Sequence, residues 1–195
     1  MCADLNKDTL RRRIRNWRDG LTAPERTALS EEVEARIATL PEFLRAETVL
    51  TYAHFGSEVQ TSGLRARTML LGKRLVLPRV EGDGLALYRI TNPLHDMQPG
   101  VWDIPEPVDG LTPVSPEEVG ILLLPGVAFD PSGGRLGYGR GYFDRVLAKT
   151  SGLKVGLGFD GQVVDQVPTE AHDVAMDLVV TPTRIIRCDT GQEVF

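Results

Sequence analysis

The chain has 195 residues, of which 42% are apolar and 25% charged, so it is long enough to bury a core and too apolar to be disordered. Its formal net charge of −5 disfavours general nucleic-acid binding, which needs a broad basic surface. Cys2 and Cys188 stand at opposite ends of the sequence. That placement disfavours a disulfide framework and fits a reducing cytoplasm.

The segment 1–15 lacks the apolar core of a secretory signal, and the longest apolar run, at 121–124, is too short to span a bilayer. We therefore expect one cytoplasmic domain over residues 1–195 that binds neither membranes nor nucleic acid. The sequence leaves the oligomeric state open, with a monomer as the favoured state.

The first two elements are predicted to be helices. Leu10, Ile14 and Trp17 recur at helical spacing, which predicts an amphipathic helix. A second row with helical spacing is basic and consists of Lys7, Arg11, Arg15 and Arg18. This basic face either holds an anion or is simply solvated. A capping box at 22–25 begins a second helix, which ends before Pro41.

Strands and helices alternate along the rest of the chain. Strands are predicted at 48–53, 74–77, 85–90, 120–124, 154–159 and 178–181. Helices are predicted at 62–72, capped by Thr61, and at 142–149, and Pro78 is expected to end its strand. The proline-rich stretch 105–116 is predicted to be a long surface connection.

This alternation predicts an α/β fold, a three-layer α/β/α sandwich with a mostly parallel sheet. Ligands on such sheets bind beyond the carboxyl ends of the strands. The candidate binding loops are therefore 54–60, 78–79 and 125–141.

The most informative segment, 133–144, reads Gly-Gly-Arg-Leu-Gly-Tyr-Gly-Arg-Gly-Tyr-Phe-Asp. Glycines at 137, 139 and 141 permit backbone conformations in which successive amides converge on phosphate oxygens. The following helix adds N–H donors, and Arg135 and Arg140 add charge. A tight structural turn is the alternative. The segment is neither a P-loop, because it lacks the Lys-Ser or Lys-Thr ending, nor a dinucleotide-binding GxGxxG motif.

Carboxylates flank this segment at Asp130 and Asp144. A carboxylate beside bound phosphate requires a cation between them, so Mg²⁺ is expected if ATP binds. For Asp144 the alternative is stabilisation of the first helical turn. The histidines show no metal-ligand spacing, which disfavours zinc.

Residues 125–130 together with 134–144 resemble the signature of the 5-formyltetrahydrofolate cyclo-ligase (methenyltetrahydrofolate synthetase) family. Four further elements agree with that family in the same order: Lys7-x-x-Leu10-Arg11, Glu58-Val-Gln-Thr61, Leu77-Pro-Arg79 and Trp102-Asp-Ile-Pro-Glu-Pro107. The sequence departs from the family at Arg140, where lysine is common, and at Phe143, where tyrosine is common. Arginine keeps the charge with a different geometry, and Phe143 lacks a hydroxyl.

The resemblance implies a fold like that of the ribose-phosphate isomerase and CoA-transferase group, with ATP as cosubstrate and Mg²⁺ as cofactor. The implied substrates are 5-formyltetrahydrofolate and ATP, and the products 5,10-methenyltetrahydrofolate, ADP and phosphate. The implied ATP-binding residues are Lys7, Arg11, Arg135, Leu136, Gly137, Tyr138, Gly139, Arg140, Gly141, Tyr142 and Phe143. The implied folate-binding residues are Glu58, Trp102, Tyr138, Gly139, Arg140, Gly141 and Tyr142.

By the same resemblance, Asp144 is a metal ligand and Asp173 a second candidate, while Arg140, Lys7 and Glu58 carry the catalytic roles. A non-catalytic paralogue that binds nucleotide or folate on the same fold is the alternative. It would bind ATP without turnover. A sugar-phosphate isomerase or an acyl-CoA-handling enzyme is suggested by fold kinship alone and would consume no ATP.

Overall fold

The structure is a computed structural model, and it describes residues 6–100, 103–170, 173–188 and 192–194. The helices are α1 (Lys7–Asp19), α2 (Ala23–Thr39), α3 (Pro41–Arg45), α4 (Ser62–Leu70) and α5 (Tyr142–Leu147). The strands are β1 (Thr48–Leu50), β2 (Arg74–Glu81), β3 (Gly84–Ile90), β4 (Met97–Pro99), β5 (Pro105–Pro107), β6 (Ile121–Pro125), β7 (Ala128–Phe129), β8 (Arg135–Leu136), β9 (Leu153–Leu157), β10 (Leu178–Val180), β11 (Ile185–Arg187) and β12 (Gln192–Val194).

The main sheet has eight strands in the order β12-β11-β10-β9-β6-β1-β2-β3. The five strands from β10 to β2 are parallel, whereas β3, β11 and β12 are antiparallel additions at the two edges. The predicted α/β class with a mostly parallel sheet is confirmed. Strand β6 is central and all its residues are buried, as its continuous apolar run predicts.

Helices cover both faces of this sheet. Successive residues of β6 point to opposite faces, so Leu123 and Leu122 join different apolar clusters. The Leu123 face packs against α2, α3 and α4 through Val33, Ile37, Phe43 and Leu64. The Leu122 face packs against α5 through Val146 and Leu147. The three layers therefore follow from apolar residues on alternate sides of the same strands.

Helix α1 departs from its predicted apolar face in one respect. Leu10 and Ile14 are buried as expected, but Trp17 is 42% exposed while Arg18 is only 3% exposed. The indole of Trp17 instead lies against Gly161, where an added Cβ would come within 2.3 Å of the ring. Arg18 takes the buried position because polar groups of two loops surround it.

Two predicted strand ends are wrong by three residues or more. Strand β2 continues through Pro78. The backbone nitrogen of this proline, which carries no hydrogen, points to the side on which β1 lies, but β1 has already ended there, so no hydrogen bond of the sheet is lost. This direction follows from Val76, whose carbonyl accepts a hydrogen bond from the Thr51 N–H at 3.1 Å, because residues two apart in a strand direct their backbone groups to the same side. Strand β1 ends at Leu50, three residues earlier than predicted.

Three other predictions about loops and caps need correction. The Thr61 side chain does not cap α4 but donates to the carbonyl of Tyr52. The connection at 105–116 contains β5, which pairs with β4, and the loop at 125–141 contains the β7–β8 hairpin. None of the helices that the structure describes is long and apolar enough to cross a membrane.

Candidate active site

The candidate site lies beyond the carboxyl ends of the parallel strands β1 and β6, where α1 covers the loops that follow them. The apolar side of α1 packs on the 125–136 segment, since Leu10 and Ile14 share a cluster with Val127, Ala128 and Leu136. Its basic side reaches the glycine-rich loop, where Arg11 Nε donates to the carbonyl of Gly137 at 2.9 Å. The structure thus brings together the two basic features that the sequence had placed far apart.

The glycine-rich loop needs glycine at two of the three predicted positions. Gly139 has φ +100° and Gly141 has φ +62°, in the left-handed region that residues other than glycine rarely adopt. The β7–β8 hairpin holds the start of the loop, and Asp130 fixes its turn. The Asp130 carboxylate accepts backbone N–H groups of Ser132, Gly134 and Val167 at 2.7–2.9 Å. Asp130 is therefore occupied by the backbone.

Arg135 and Asp144 form an ion pair across the loop, with Arg135 Nη2 donating to Asp144 Oδ1 at 2.7 Å. The Arg135 side chain is 4% exposed and that of Asp144 is 20% exposed. A second Arg135 nitrogen, Nη1, lies 3.3 Å from the carbonyl of Pro125. In this structure the charge of Arg135 is directed at Asp144, and its predicted contact with ATP stays a prediction.

The residues around the last glycine, from Arg140 to Phe143, divide between surface and core. Arg140 is exposed, and Tyr142 lies beneath Arg145, whose Cζ is 5.5 Å from the ring centroid. Phe143 packs against both apolar clusters of the sheet. A ring in that apolar position needs no hydroxyl, so the departure at Phe143 is accommodated by packing.

Lys7 and Asp173, two predicted site residues, are in direct contact. Lys7 Nζ lies 2.7 Å from Asp173 Oδ2 and 2.9 Å from Glu170 Oε1. Burial acts to lower the pKa of Lys7, but its hydrogen bonds to Asp173 and Glu170 outweigh this effect and raise the pKa above its usual value. The ammonium group is therefore held in its charged form beside two carboxylates.

Glu58 is a buried carboxylate in the loop after β1, with 6% of its surface exposed. Its Oε2 accepts the Phe55 N–H at 2.9 Å. Burial raises the pKa of Glu58, while the Phe55 hydrogen bond, the charge of Arg18 and the Tyr138 hydroxyl act in the opposite direction. Tyr138, from the glycine-rich loop, is thus close enough to Glu58, from the loop after β1, to affect its pKa. These are two of the three loops predicted to surround the ligand; the third, at 78–79, is instead part of strand β2.

Arg18 and Ser57 also belong to this arrangement, although neither was predicted to be a site residue. Arg18 donates to Ser57 Oγ at 2.9 Å and to the Tyr138 hydroxyl at 2.7 Å. The available signal was the place of Arg18 in the basic row of α1. Trp102, predicted to contact the folate, lies outside the described residues. Within those residues no group of three or more His, Cys, Asp or Glu side chains could hold a metal ion by itself.

A mostly parallel sheet with a glycine-rich loop and basic side chains beyond its strand ends defines an α/β protein with a candidate anion-binding site. The model of the 5-formyltetrahydrofolate cyclo-ligase family matches residues 3–182. The chain belongs to this family, and the resemblance seen in the sequence is confirmed. The predicted cyclo-ligase function is the function for which the family is named.

Relatives and solved structures agree with this assignment. The 5-formyltetrahydrofolate cyclo-ligase of Escherichia coli K12 is 32% identical over 178 residues, covering 88% of this chain and 98% of the relative. The NMR structure of Aquifex aeolicus 5,10-methenyltetrahydrofolate synthetase is 38% identical, with a TM-score of 0.86 and coverage of 97% of this chain and 96% of that one. A Mycoplasma pneumoniae synthetase, 22% identical, shares the fold with a TM-score of 0.74, over 91% of this chain and 99% of that one.

Proposed function

We propose that this chain catalyses the ATP-dependent conversion of 5-formyltetrahydrofolate into 5,10-methenyltetrahydrofolate, with release of ADP and phosphate. One observation carries the proposal: in a chain of the cyclo-ligase family, basic helix α1, the glycine-rich loop and buried Glu58 meet at one end of the sheet. The mixture of cationic and apolar surroundings suits a triphosphate next to a flat, polar heterocycle.

The chemical difficulty is that the formyl oxygen of an amide is a poor leaving group. Transfer of the γ-phosphoryl group to that oxygen forms a P–O bond and breaks the bond to ADP. The folate N10 then attacks the activated carbon, forming the C–N bond, losing its proton and expelling phosphate. Most of the rate enhancement comes from positioning the groups and stabilising the charge.

The basic residues of the site would supply this stabilisation. Arg140 is exposed on the loop and Lys7 is held in its charged form, so both can approach the transferring phosphoryl group. Lys7 would leave its pairing with Asp173 and Glu170 to do so. Arg11 contributes through the backbone, because its bond to the Gly137 carbonyl sets the position of the loop.

Mg²⁺ fits this site as an ion that takes part of its ligand shell from the nucleotide. Asp144 and Asp173 would hold it, since a nucleotide-bound Mg²⁺ needs only one or two carboxylates in addition to phosphate oxygens and water. Asp144 uses Oδ1 for Arg135 and keeps part of its carboxylate accessible, with 20% of the side chain exposed. When bound, the ion would neutralise negative charge on the phosphates.

Glu58 would orient the folate. An ionised carboxylate accepts hydrogen bonds from the N–H groups of a pterin, and Glu58 lies beside the Tyr138 ring, which is 43% exposed and available for contact with a flat ligand. The remaining folate contacts predicted at residues 139–142 and at Trp102 belong to the same proposal.

The test is direct turnover. Purified protein mixed with 5-formyltetrahydrofolate, ATP and Mg²⁺ should produce the absorbance of the methenyl product. Arg140→Ala should lower kcat/KM for ATP about 10- to 100-fold, which corresponds to one lost charged hydrogen bond, with little change in the urea midpoint. Arg13→Ala, at an exposed position of α1, is the matched control and should act like the wild type. Absence of product from folded wild-type protein would favour the non-catalytic paralogue.

A further inference from the structure

Arg18 is a buried cation near the end of α1, and it binds both loops of the candidate site. Nε donates to Ser57 Oγ at 2.9 Å, Nη2 to the Tyr138 hydroxyl at 2.7 Å, and Nη1 lies 3.4 Å from the carbonyl of Gly126. Ser57 belongs to the loop after β1, and the other two residues belong to the segment after β6. One side chain thus joins the segments that carry Glu58 and the glycine-rich loop.

The chemistry of this contact requires arginine. Burying a cation is costly unless its hydrogen-bonding groups are satisfied, and the planar guanidinium group donates in fixed, diverging directions. None of the three partners is a carboxylate, although Ser57 passes a hydrogen bond on to Asp19. The cost of burying the Arg18 cation is therefore offset by directed hydrogen bonds that join the two segments, and a lysine at this position could not form the same set.

Tyr138 transmits this placement to Glu58. Its hydroxyl receives the bond from Arg18, which also bonds to Ser57, the residue before Glu58, so the hydroxyl and the carboxylate are held in the same part of the site. The two groups are close enough that each affects the pKa of the other. Burial, followed by the charge of Glu58, raises the pKa of Tyr138 to about 12, so the hydroxyl stays protonated at neutral pH and can donate to Glu58.

The same helix also holds the preceding residue of the loop, because Arg11 donates to the Gly137 carbonyl at 2.9 Å. Two adjacent loop residues are therefore fixed by two arginines of α1, one through the backbone and one through a side chain. Only the Arg18 contact extends to Glu58. The two arginines thereby act on different parts of the site.

We propose that Arg18 is a positioning residue for the folate side of the site, which holds the Tyr138 hydroxyl against the Glu58 carboxylate and so sets the direction in which that carboxylate meets the pterin. This inference rests on the proposed function, since the ligand of Glu58 is taken to be the folate. It separates the roles of the α1 arginines: loss of the Arg18 contact affects folate binding and leaves nucleotide binding largely unchanged.

The experiment is a double-mutant cycle with Arg18→Lys and Tyr138→Phe. Each single variant should raise KM for 5-formyltetrahydrofolate about 3- to 10-fold, as expected for one lost hydrogen bond, while KM for ATP changes less than about twofold. The double variant should be no worse than the more affected single variant, because both changes break the same link. Arg13→Lys, at an exposed position of α1, is the control and should match the wild type.

Two results would overturn the inference while the proposed function stands. Wild-type turnover with unchanged folate KM in Tyr138→Phe would show that the hydroxyl does not position Glu58. Folate effects that multiply in the double variant would show that Arg18 and Tyr138 act separately. If Arg18→Lys fails to fold, the folate KM of Tyr138→Phe alone decides the matter. A wild-type protein that neither binds nor converts the folate would overturn both the proposed function and this inference.

Discussion

Replacement of Asp144 by asparagine tests how much of this residue's role is structural. Asp144 is the charged partner of Arg135, whose side chain is 4% exposed. The asparagine side chain would keep an oxygen acceptor at the 2.7 Å contact but lose the negative charge. A hydrogen bond to a charged group contributes about 1.5–3 kcal/mol, so Asp144→Asn should lower the free energy of unfolding by about that amount. For a chain of this length the corresponding loss in Tm is about 3–12 °C.

The measurement is urea unfolding without ligands, so that stability is separated from metal or nucleotide binding. Asp8→Asn is the matched control, because Asp8 also pairs with an arginine, Arg11, but its side chain is 89% exposed. An exposed pair of this kind contributes about 0–1 kcal/mol. If Asp144→Asn proved as stable as Asp8→Asn, the Arg135–Asp144 pair would not hold the loop, and Asp144 would have to be explained by ligand binding alone.

Two further substitutions test the buried carboxylate and the sheet core. Because burial raises the pKa of Glu58, its ionisation opposes folding, and the stability difference between Glu58→Gln and the wild type should move in favour of the variant as pH rises through that pKa. Urea midpoints of the variant and the wild type from about pH 4 to 8 check this, with Glu31→Gln, at an exposed position, as the control. A difference between Glu58→Gln and the wild type that stays constant over this pH range would contradict it. Gly156→Ala would place a Cβ 2.4 Å from the Phe129 ring and should cost about 1–3 kcal/mol, whereas Gly84→Ala, whose nearest atom is 3.9 Å away, should cost little. Equal midpoints for these two glycine variants would refute the packing argument.

The centre of the fold could be predicted from the sequence because its signals are local and strong. Strand β6 is a continuous apolar run and is buried on both faces. The edges were harder. Strands β11 and β12 have three residues each, too few for a period of two to be recognised. The passage of β2 through Pro78 depends on where β1 ends, which no local pattern in β2 reports.

The backbone conformation of the candidate site could be predicted from the sequence better than its side-chain contacts. Glycines at 137, 139 and 141 indicate unusual backbone angles, and Gly139 and Gly141 have positive φ whereas Gly137 does not. The partners of charged side chains were not predictable in the same way. For Arg135 the predicted partner is a phosphate, and this contact stays a prediction; the partner that the structure shows, Asp144, was not predicted. Which of two nearby charges a guanidinium group meets depends on tertiary packing, so sequence spacing leaves it open.

Arg18 shows why the missing part of the site was missed, and what signal it left. With Leu10 and Ile14 buried, both Trp17 and Arg18 are spaced to continue the buried stripe, at three and four residues beyond Ile14. Hydrophobicity favours Trp17, and the choice of Arg18 depends on Ser57 and Tyr138, which lie elsewhere in the sequence. An arginine on the apolar stripe of a helix, next to an aromatic residue with similar spacing, therefore indicates a cation that is buried and bonded to polar groups elsewhere in the fold. Here that cation lies beneath the two loops that form the site.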